Sequence, residues 1–328
     1  MPAIPENSPV AGHKRKFSWS LFLQIVVTLS IFAWLFHKTD WAALTNRFLQ
    51  IQMSWFVLAV LAYALNLAIS TLRWNLILRA AGKHAPQIWL LRLIWVGAYF
   101  NQVLPGSVSG DVLRAWYTRP QTGSATLALA VVFADRFIGM GALVSIALLA
   151  YLIGGRGLHL LPGMGETVAL LSLGYFSIIV LIVTPSLNFL EHRVGKWGRK
   201  LHDIRDGMGM LLRNPPALIG TFLLSVLVQF CSILMFWSLA HALGERPDAV
   251  ALWVVWPVVS LFLALPISLA GWGLREGLLV FYLGALAMSH DQALALSLLL
   301  GATVLLTSLP GAALWLGIYR HPLAQRSH

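Results

Sequence analysis

Leu104-Pro-Gly-Ser-Val-Ser-Gly-Asp-Val-Leu-Arg-Ala115 and Leu265-Pro-Ile-Ser-Leu-Ala-Gly-Trp-Gly-Leu-Arg-Glu276 are one twelve-residue phrase written twice, about half the chain apart. The Leu, Pro, Ser, Gly, Leu and Arg positions are identical, and Val108/Leu269 and Ser109/Ala270 are conservative. Both copies sit in apolar surroundings, where proline, glycine and arginine are costly. Helices broken at matching places in two halves of a chain point to a transporter's binding site. In an apolar chain a partial match can arise by accident. The half-length offset and the shared surroundings set this pair apart.

Composition decides what those surroundings are. Hydrophobic residues make up 58% of the 328 residues and charged residues 11%, with a mean hydropathy of +0.76. Soluble domains carry about 25% charged residues, so the chain is an all-α polytopic membrane protein. The net charge of +11 does not indicate a nucleic-acid partner, because the basic residues gather at the ends of apolar runs, as the positive-inside rule requires. Lys14-Arg15-Lys16 precede an apolar run from Phe17 to Phe36. That run is longer than a secretory h-region and lacks its cleavage site. It reads as a retained first helix with a cytoplasmic N-terminus. The lone Cys231 excludes an internal disulfide.

Runs near the roughly 20 residues needed to span lie at 17–36, 53–72, 125–153, 166–184, 217–243 and 293–317. Two further stretches, 93–119 and 251–288, are each interrupted by one copy of the phrase. The basic loop 185–216 must be cytoplasmic, and so must 73–92 with Arg73, Arg79, Lys83 and Arg92. The stretch 93–119 therefore begins and ends on one side of the membrane. The same logic places both ends of 251–288 on the other side. The expected architecture is six spanning helices plus two re-entrant helical hairpins related as inverted repeats. Sixteen Lys and Arg then fall on cytoplasmic segments and four outside, whereas eight crossings would put basic loops outside. Irregular backbone at membrane depth must be covered by protein or line a water-filled cavity, so the hairpins should face each other. The chain divides into a cytoplasmic tail 1–16, one membrane domain 17–317 and a cytoplasmic tail 318–328. The chain ends soon after the last run, so no soluble catalytic domain is expected.

The chemistry of the breaks follows from residue type. The residue before proline is pushed out of helical geometry, so the entering helix should end there. A second half-helix should start at Ser107/Ser109 or at Ser268, residues suited to N-capping. Its amides and positive dipole end would form an anion site, and Gly110 and Gly271 would let a ligand approach closely. Arg114 and Arg275 follow four residues later, and an arginine fork beside such amides fits phosphate or carboxylate.

Six charges lie at membrane depth: Asp111, Arg114, Asp135, Arg136, Arg275 and Glu276, summing to zero. Each costs roughly 2.5–3.5 kcal/mol at a helix centre, so they need partners, water or a role. Asp111 and Arg114 can pair at i,i+3. The neighbours Asp135–Arg136 and Arg275–Glu276 should point apart and find partners on other elements. The same six residues also suit salt bridges that only pin two loops. Arg73 reads first as an interfacial anchor and second as a cavity residue. Asn101 and Gln102 either line the cavity or hold the frayed helix end.

The remaining candidates are bland. No HExxH motif or carboxylate cluster with metal spacing occurs, so no metal or other cofactor is expected. His192 and His202-Asp203 read as solvated, and of ten histidines only His241 approaches a membrane end. Fourteen tryptophans read as interfacial anchors, and Gly139 and Gly141 as helix-packing residues.

The run Asn101-Gln-Val-Leu-Pro-Gly-Ser-Val-Ser-Gly-Asp-Val-Leu-Arg114, then Asp135-Arg136, then Leu265 to Gly277, resembles the flippase-like transmembrane family. This is the membrane domain of lysylphosphatidylglycerol synthases and of many stand-alone bacterial and archaeal proteins. The resemblance covers 17–317, with Ser109 where glycine is as frequent, a mild departure. It implies translocation of a charged phospholipid between leaflets. The synthase domain is not in this chain, so aminoacyl transfer is not carried over. Stand-alone members are tied to polyprenyl-phosphate sugars and to hopanoids, which supports lipid handling over any single lipid.

The functional expectation is an inner-membrane flippase for an anionic lipid headgroup, phospholipid or polyprenyl-phosphate-linked, and not an enzyme. Arg114 and Arg275 with Ser107, Ser109, Gly110, Ser268 and Gly271 would bind the headgroup. Asp111, Asp135, Arg136 and Glu276 would gate or balance charge. The alternatives are an ion-coupled small-solute transporter, a membrane-embedded enzyme on a lipid-linked substrate, and a partner subunit of a lipid-modifying enzyme.

Overall fold

The computed structural model describes residues 19–104, 109–154, 163–184, 209–265 and 267–320. Ser107, the N-terminal tail, the C-terminal tail from 321 on, the loop 155–162 and most of the basic loop lie outside the described residues. All regular elements among the described residues are helical: α1 (Trp19–His37), α2 (Trp41–Leu49), α3 (Met53–Ala80), α4 (Gln87–Val103), α5 (Ser109–Thr122), α6 (Ala125–Gly154), α7 (Met164–Val183), α8 (Pro215–Ala242), α9 (Ala249–Leu263), a 3₁₀ turn (Leu269–Gly271), α10 (Leu274–Ala285), α11 (His290–Ser308) and α12 (Pro310–Arg320). Helices α3, α6, α7, α8 and the α11–α12 pair are long and apolar enough to cross a membrane, and the bent α1–α2 pair brings the total to as many as six. These are the six apolar runs of the sequence.

Three differences from the expected boundaries matter. The chain turns by 92° between α1 and α2. Asp40 causes the restart, because its Oδ1 accepts from the Ala42 and Ala43 amides at 2.9 and 3.1 Å, satisfying the free donors of a new helix. Helix α3 continues two turns past the apolar run, to Ala80, which carries Arg73 and Trp74 into the bundle. The second copy of the phrase does not open a helix at Ser268. A short 3₁₀ turn intervenes and α10 begins only at Leu274.

Helices α3 and α8, 28 residues each, run roughly 42 Å along each other. Asn66 Nδ2 donates to the Val228 carbonyl and to Ser232 Oγ, both at 2.8 Å. The apolar interior divides into two clusters. One is built mainly from α3, α4 and α6 around Trp74, Leu90 and Phe137. The other is built mainly from α8, α9, α10 and α11 around Phe236, Val255 and Leu283. Each cluster backs one copy of the phrase. On the outside, Leu61, Leu65 and Leu72 of α3 and Leu170, Leu173 and Val180 of α7 are exposed, as lipid-facing surfaces must be. Apolar contact with lipid gives no net drive for such helices to associate, so their assembly rests on close packing and interhelical hydrogen bonds.

Several bonds bring one set of helix ends together. The Gln52 amide donates to the Ala242 carbonyl at 2.9 Å, joining the start of α3 to the end of α8. Arg47 of α2 binds Glu245 at 2.6 Å, and Gln292 of α11 donates to the same carboxylate at 3.0 Å. At the other end of α3, Asn75 Nδ2 donates to Gln87 Oε1 of α4 at 2.7 Å. The pairs α4–α5 and α9–α10 thus begin at opposite ends of α3.

Candidate functional site

The first copy of the phrase sits in a buried chain of alternating charges. Arg73 Nε donates to Asp135 Oδ1 at 2.7 Å, and Arg114 Nη2 donates to Asp135 Oδ2 at 3.1 Å. Arg114 Nη1 reaches Asp111 Oδ1 at 3.3 Å, and Arg136 Nε reaches Asp111 Oδ2 at 2.5 Å. The order is Arg73, Asp135, Arg114, Asp111, Arg136, with residues from α3, α5 and α6. Asp111 and Arg114 make the i,i+3 pair expected of them. Asp135 and Arg136 point apart, one toward Arg73 and Arg114, the other toward Asp111.

Arg73 was expected first as an interfacial anchor, and the structure corrects this. It is buried, and its Nη1 also donates to Ser225 Oγ of α8 at 3.2 Å. Gly139 was expected to serve packing alone. A Cβ there would stand 3.2 Å from Arg73 Nη1, so its bare backbone makes room for the guanidinium. The sequence did contain a signal: Asn66, Ser70 and Arg73, spaced by four and three residues, form a polar stripe on one face of α3, and all three are buried.

With Arg73 included, the charges at membrane depth are Arg73, Arg114, Arg136 and Arg275 against Asp111, Asp135 and Glu276. Four positive minus three negative leaves +1, not zero, and the first copy holds all of it. Asp111, Arg114 and Asp135 are buried, while the Arg136 side chain is 45% exposed. Arg114 stacks over the Trp74 ring at 4.2 Å, and its buried Nε has no hydrogen-bond partner among the described residues. The Arg114 stem lies against Gly97. A Cβ at Gly110 would collide with the Gly97 carbonyl, so α4 and α5 meet backbone to backbone just behind the break.

The second copy is neutral and closed on itself. Arg275 was expected to point away from Glu276, but Nη2 binds Glu276 Oε1, and Nε reaches the same oxygen at 3.0 Å. Ser297 of α11 donates to that oxygen at 3.2 Å, and Glu276 Oε2 accepts the Gly273 amide at 2.6 Å. The reason is the register. Because α10 opens at Leu274, Glu276 lies in its first turn and folds back over the helix start. Arg275 Nε, 3.3 Å from Ser297 Oγ, then follows the carboxylate. Arg275 also stacks on Trp272 at 4.5 Å, with bare Gly301 beneath the guanidinium.

The expectation of ligand-ready helix amides changes in both copies. Asn101 Oδ1 accepts the Gly110 amide at 2.8 Å, so Asn101 holds the helix start. The Gly273 amide is taken by Glu276. Ser109 opens α5 as expected, whereas Ser268 is buried, makes no side-chain cap bond, and its hydroxyl has no partner among the described residues. Gln102 Oε1 is likewise buried with no partner among the described residues. Gly271 has a φ of +82°, and the following turn is pinned to α1: Thr28 Oγ1 accepts the Leu269 amide at 3.0 Å and donates to the Trp272 carbonyl at 3.3 Å. Among the described residues, no three His, Cys, Asp or Glu side chains are grouped to hold a metal ion.

Residues 21–311 match the family described as the lysylphosphatidylglycerol synthase TM region. A UPF0104 membrane protein of Methanothermobacter thermautotrophicus is 26% identical over 269 residues, 71% of this chain and 74% of that protein. A UPF0104 membrane protein of Pyrococcus horikoshii is 26% identical over 130 residues, 39% of this chain and 37% of that protein.

Proposed function

The chain belongs to the lysylphosphatidylglycerol synthase TM family, and on that footing we propose that it moves an anionic lipid headgroup between leaflets of the cytoplasmic membrane. The observation that carries this reading is the buried five-residue charge chain with one positive charge in excess, ending at half-exposed Arg136. An isolated buried charge costs several kcal/mol. A chain left one carboxylate short calls for an anion, and a lipid phosphate supplies one.

In this reading Arg136 meets the headgroup first. Asp111 then releases part of its hold on Arg136, and Arg114, with its unpartnered Nε, takes up the phosphate. Asp135, itself held by Arg73, keeps Arg114 aimed throughout. Arg275 has a different part: bound to Glu276 and Ser297, it fixes the second loop. The pairs α4–α5 and α9–α10 act as two opposed re-entrant hairpins, supported by their starts at opposite ends of α3, with both termini of the chain in the cytoplasm. No chemical step on the lipid is needed.

The test is translocation of fluorescent phosphatidylglycerol in proteoliposomes by wild type and Arg136→Gln. A charge-assisted hydrogen bond contributes about 1.5–3 kcal/mol, so the variant should be roughly ten- to a hundredfold slower, with an unfolding temperature close to wild type. A wild-type rate in folded Arg136→Gln removes the site. Uptake of free inorganic phosphate, with no lipid moved, would transfer the same site to a small-solute transporter.

A further inference from the structure

Where α3 begins and α8 ends, an open cleft of about 440 Å³ is lined by Gln52, Trp55, Trp237, His241, Glu245 and Arg246 among others. It lies away from the charge chain. Trp55 and Arg73 are eighteen residues apart on α3, roughly 27 Å along the helix. That is close to the roughly 30 Å of a hydrocarbon core, so one headgroup cannot touch both places.

The aromatic groups form a fixed wall. Trp55 meets Trp237 edge to face at 5.2 Å, and His241 packs against both, at 4.9 and 4.2 Å. His241 Nδ1 is 3.0 Å from the Trp237 carbonyl. A carbonyl only accepts, so Nδ1 carries the proton and a neutral ring has Nε2 as an acceptor. The nearby acids are engaged: Glu245 by Arg47 and Gln292, and Asp248 by the Val250 and Ala251 amides at the start of α9. Arg246 is exposed and makes no ion pair among the described residues.

Trp237 is also shared with a second cleft. A space of about 270 Å³ between α8 and α9 is lined by Trp237 with Ile233, Leu234, Leu252 and Trp253, all apolar. A cleft edged by the exposed Arg246 therefore adjoins a wholly apolar one, with Trp237 lining both. An amphiphile with an anionic head and an apolar chain matches both.

We propose that these joined clefts hold one anionic phospholipid, its phosphate on Arg246, its polar glycerol region against Trp55 and His241, and an acyl chain beyond Trp237. It would be a second lipid station, at the end of the bundle opposite the Arg114 chain. Its role in transport rests on the translocase reading, but binding in the clefts can be measured alone.

The experiment uses the full chain in nanodiscs and the fluorescence of Trp253, isolated as the difference between wild type and Trp253→Phe. Phosphatidylglycerol and phosphatidylcholine brominated on the acyl chains are compared at the same low mole fraction. Quenching should be several-fold stronger with the anionic lipid. This preference should vanish in Arg246→Gln, whose side chain is exposed and outside the packed interior, and persist in Arg136→Gln. Equal quenching by the two lipids, a preference untouched in Arg246→Gln, or its loss in Arg136→Gln would each overturn the proposal. Preferred quenching without translocation in proteoliposomes keeps the clefts and removes the translocase reading. Translocation without the preference does the reverse.

Discussion

The two copies of the phrase share six of twelve residues yet hold their arginines in opposite ways. In the first, the acid is Asp111, three residues before Arg114. In the second, that position is Trp272 and the acid has moved to Glu276, just after Arg275. The shift lets Glu276 fold back over its own helix start and engage Arg275 locally, which closes the second loop as a neutral unit. The first arginine is left to share Asp111 with Arg136 and Asp135 with Arg73. The same fork thus becomes a fastener in one half and part of a charged, partly open site in the other. Where the carboxylate sits, and not the presence of the arginine, separates the closed copy from the partly open one.

Removing the buried acid closest to each arginine's role, Asp135 of α6 for Arg114 and Glu276 for Arg275, should break this comparison most visibly. Asp135→Asn leaves Arg73 and Arg114 short of a shared buried carboxylate and should lose about 3–5 kcal/mol. Glu276→Gln keeps an amide oxygen for the Gly273 N–H, and Arg275, though left without a carboxylate, keeps its Trp272 and Ser297 contacts, so a loss of about 3 kcal/mol, the lower end of that range, is expected. Thermal unfolding of the two purified variants in one detergent measures the gap, and equal losses would contradict it.

A smaller effect separates the glycines at the seventh position. Gly110 is needed for space, since any Cβ meets the Gly97 backbone, so Gly110→Ala should lose about 3 kcal/mol, the upper end of overpacking costs. Gly271 is needed for its φ of +82°, and its nearest obstacle is a flexible Leu263 methyl at 3.3 Å. Gly271→Ala should lose about 1–2 kcal/mol. Gly271→Asn should recover part of that, because asparagine tolerates left-handed backbone, whereas Gly110→Asn should not improve on Gly110→Ala. The same unfolding assay reports all four.

Much of this was legible in the sequence because a membrane imposes length and composition on each span. The six apolar runs, the two interrupted stretches and the Asp111–Arg114 pair follow from local rules. What was not legible depends on where helices stop. Arg73 looked like an anchor because the apolar run ends at Leu72, but α3 continues to Ala80 with Trp74, Ile77 and Leu78 fully buried. Ser268 looked like an N-cap because Ser107 or Ser109 suited that place in the first copy. The Trp272–Gly273 pair delays the second helix, with Gly273 at a φ of +80° against the Thr28 backbone. That contact joins residues more than 240 apart in the chain and no local pattern announces it.

The single surplus positive charge of the first copy also has an electrical consequence. A unit charge crossing the whole membrane field exchanges about 2.3 kcal/mol per 100 mV, and one crossing a third of it roughly 0.8 kcal/mol. An empty bundle whose α5 and α6 shift along the membrane normal would feel the potential. With a singly charged headgroup bound, the same movement would be electrically silent. In the proposed translocation the membrane voltage should therefore act on the unloaded return and not on the loaded crossing. Translocation rates at saturating lipid in vesicles clamped with potassium and valinomycin test this, and a rate indifferent to voltage would mean that the surplus charge does not move.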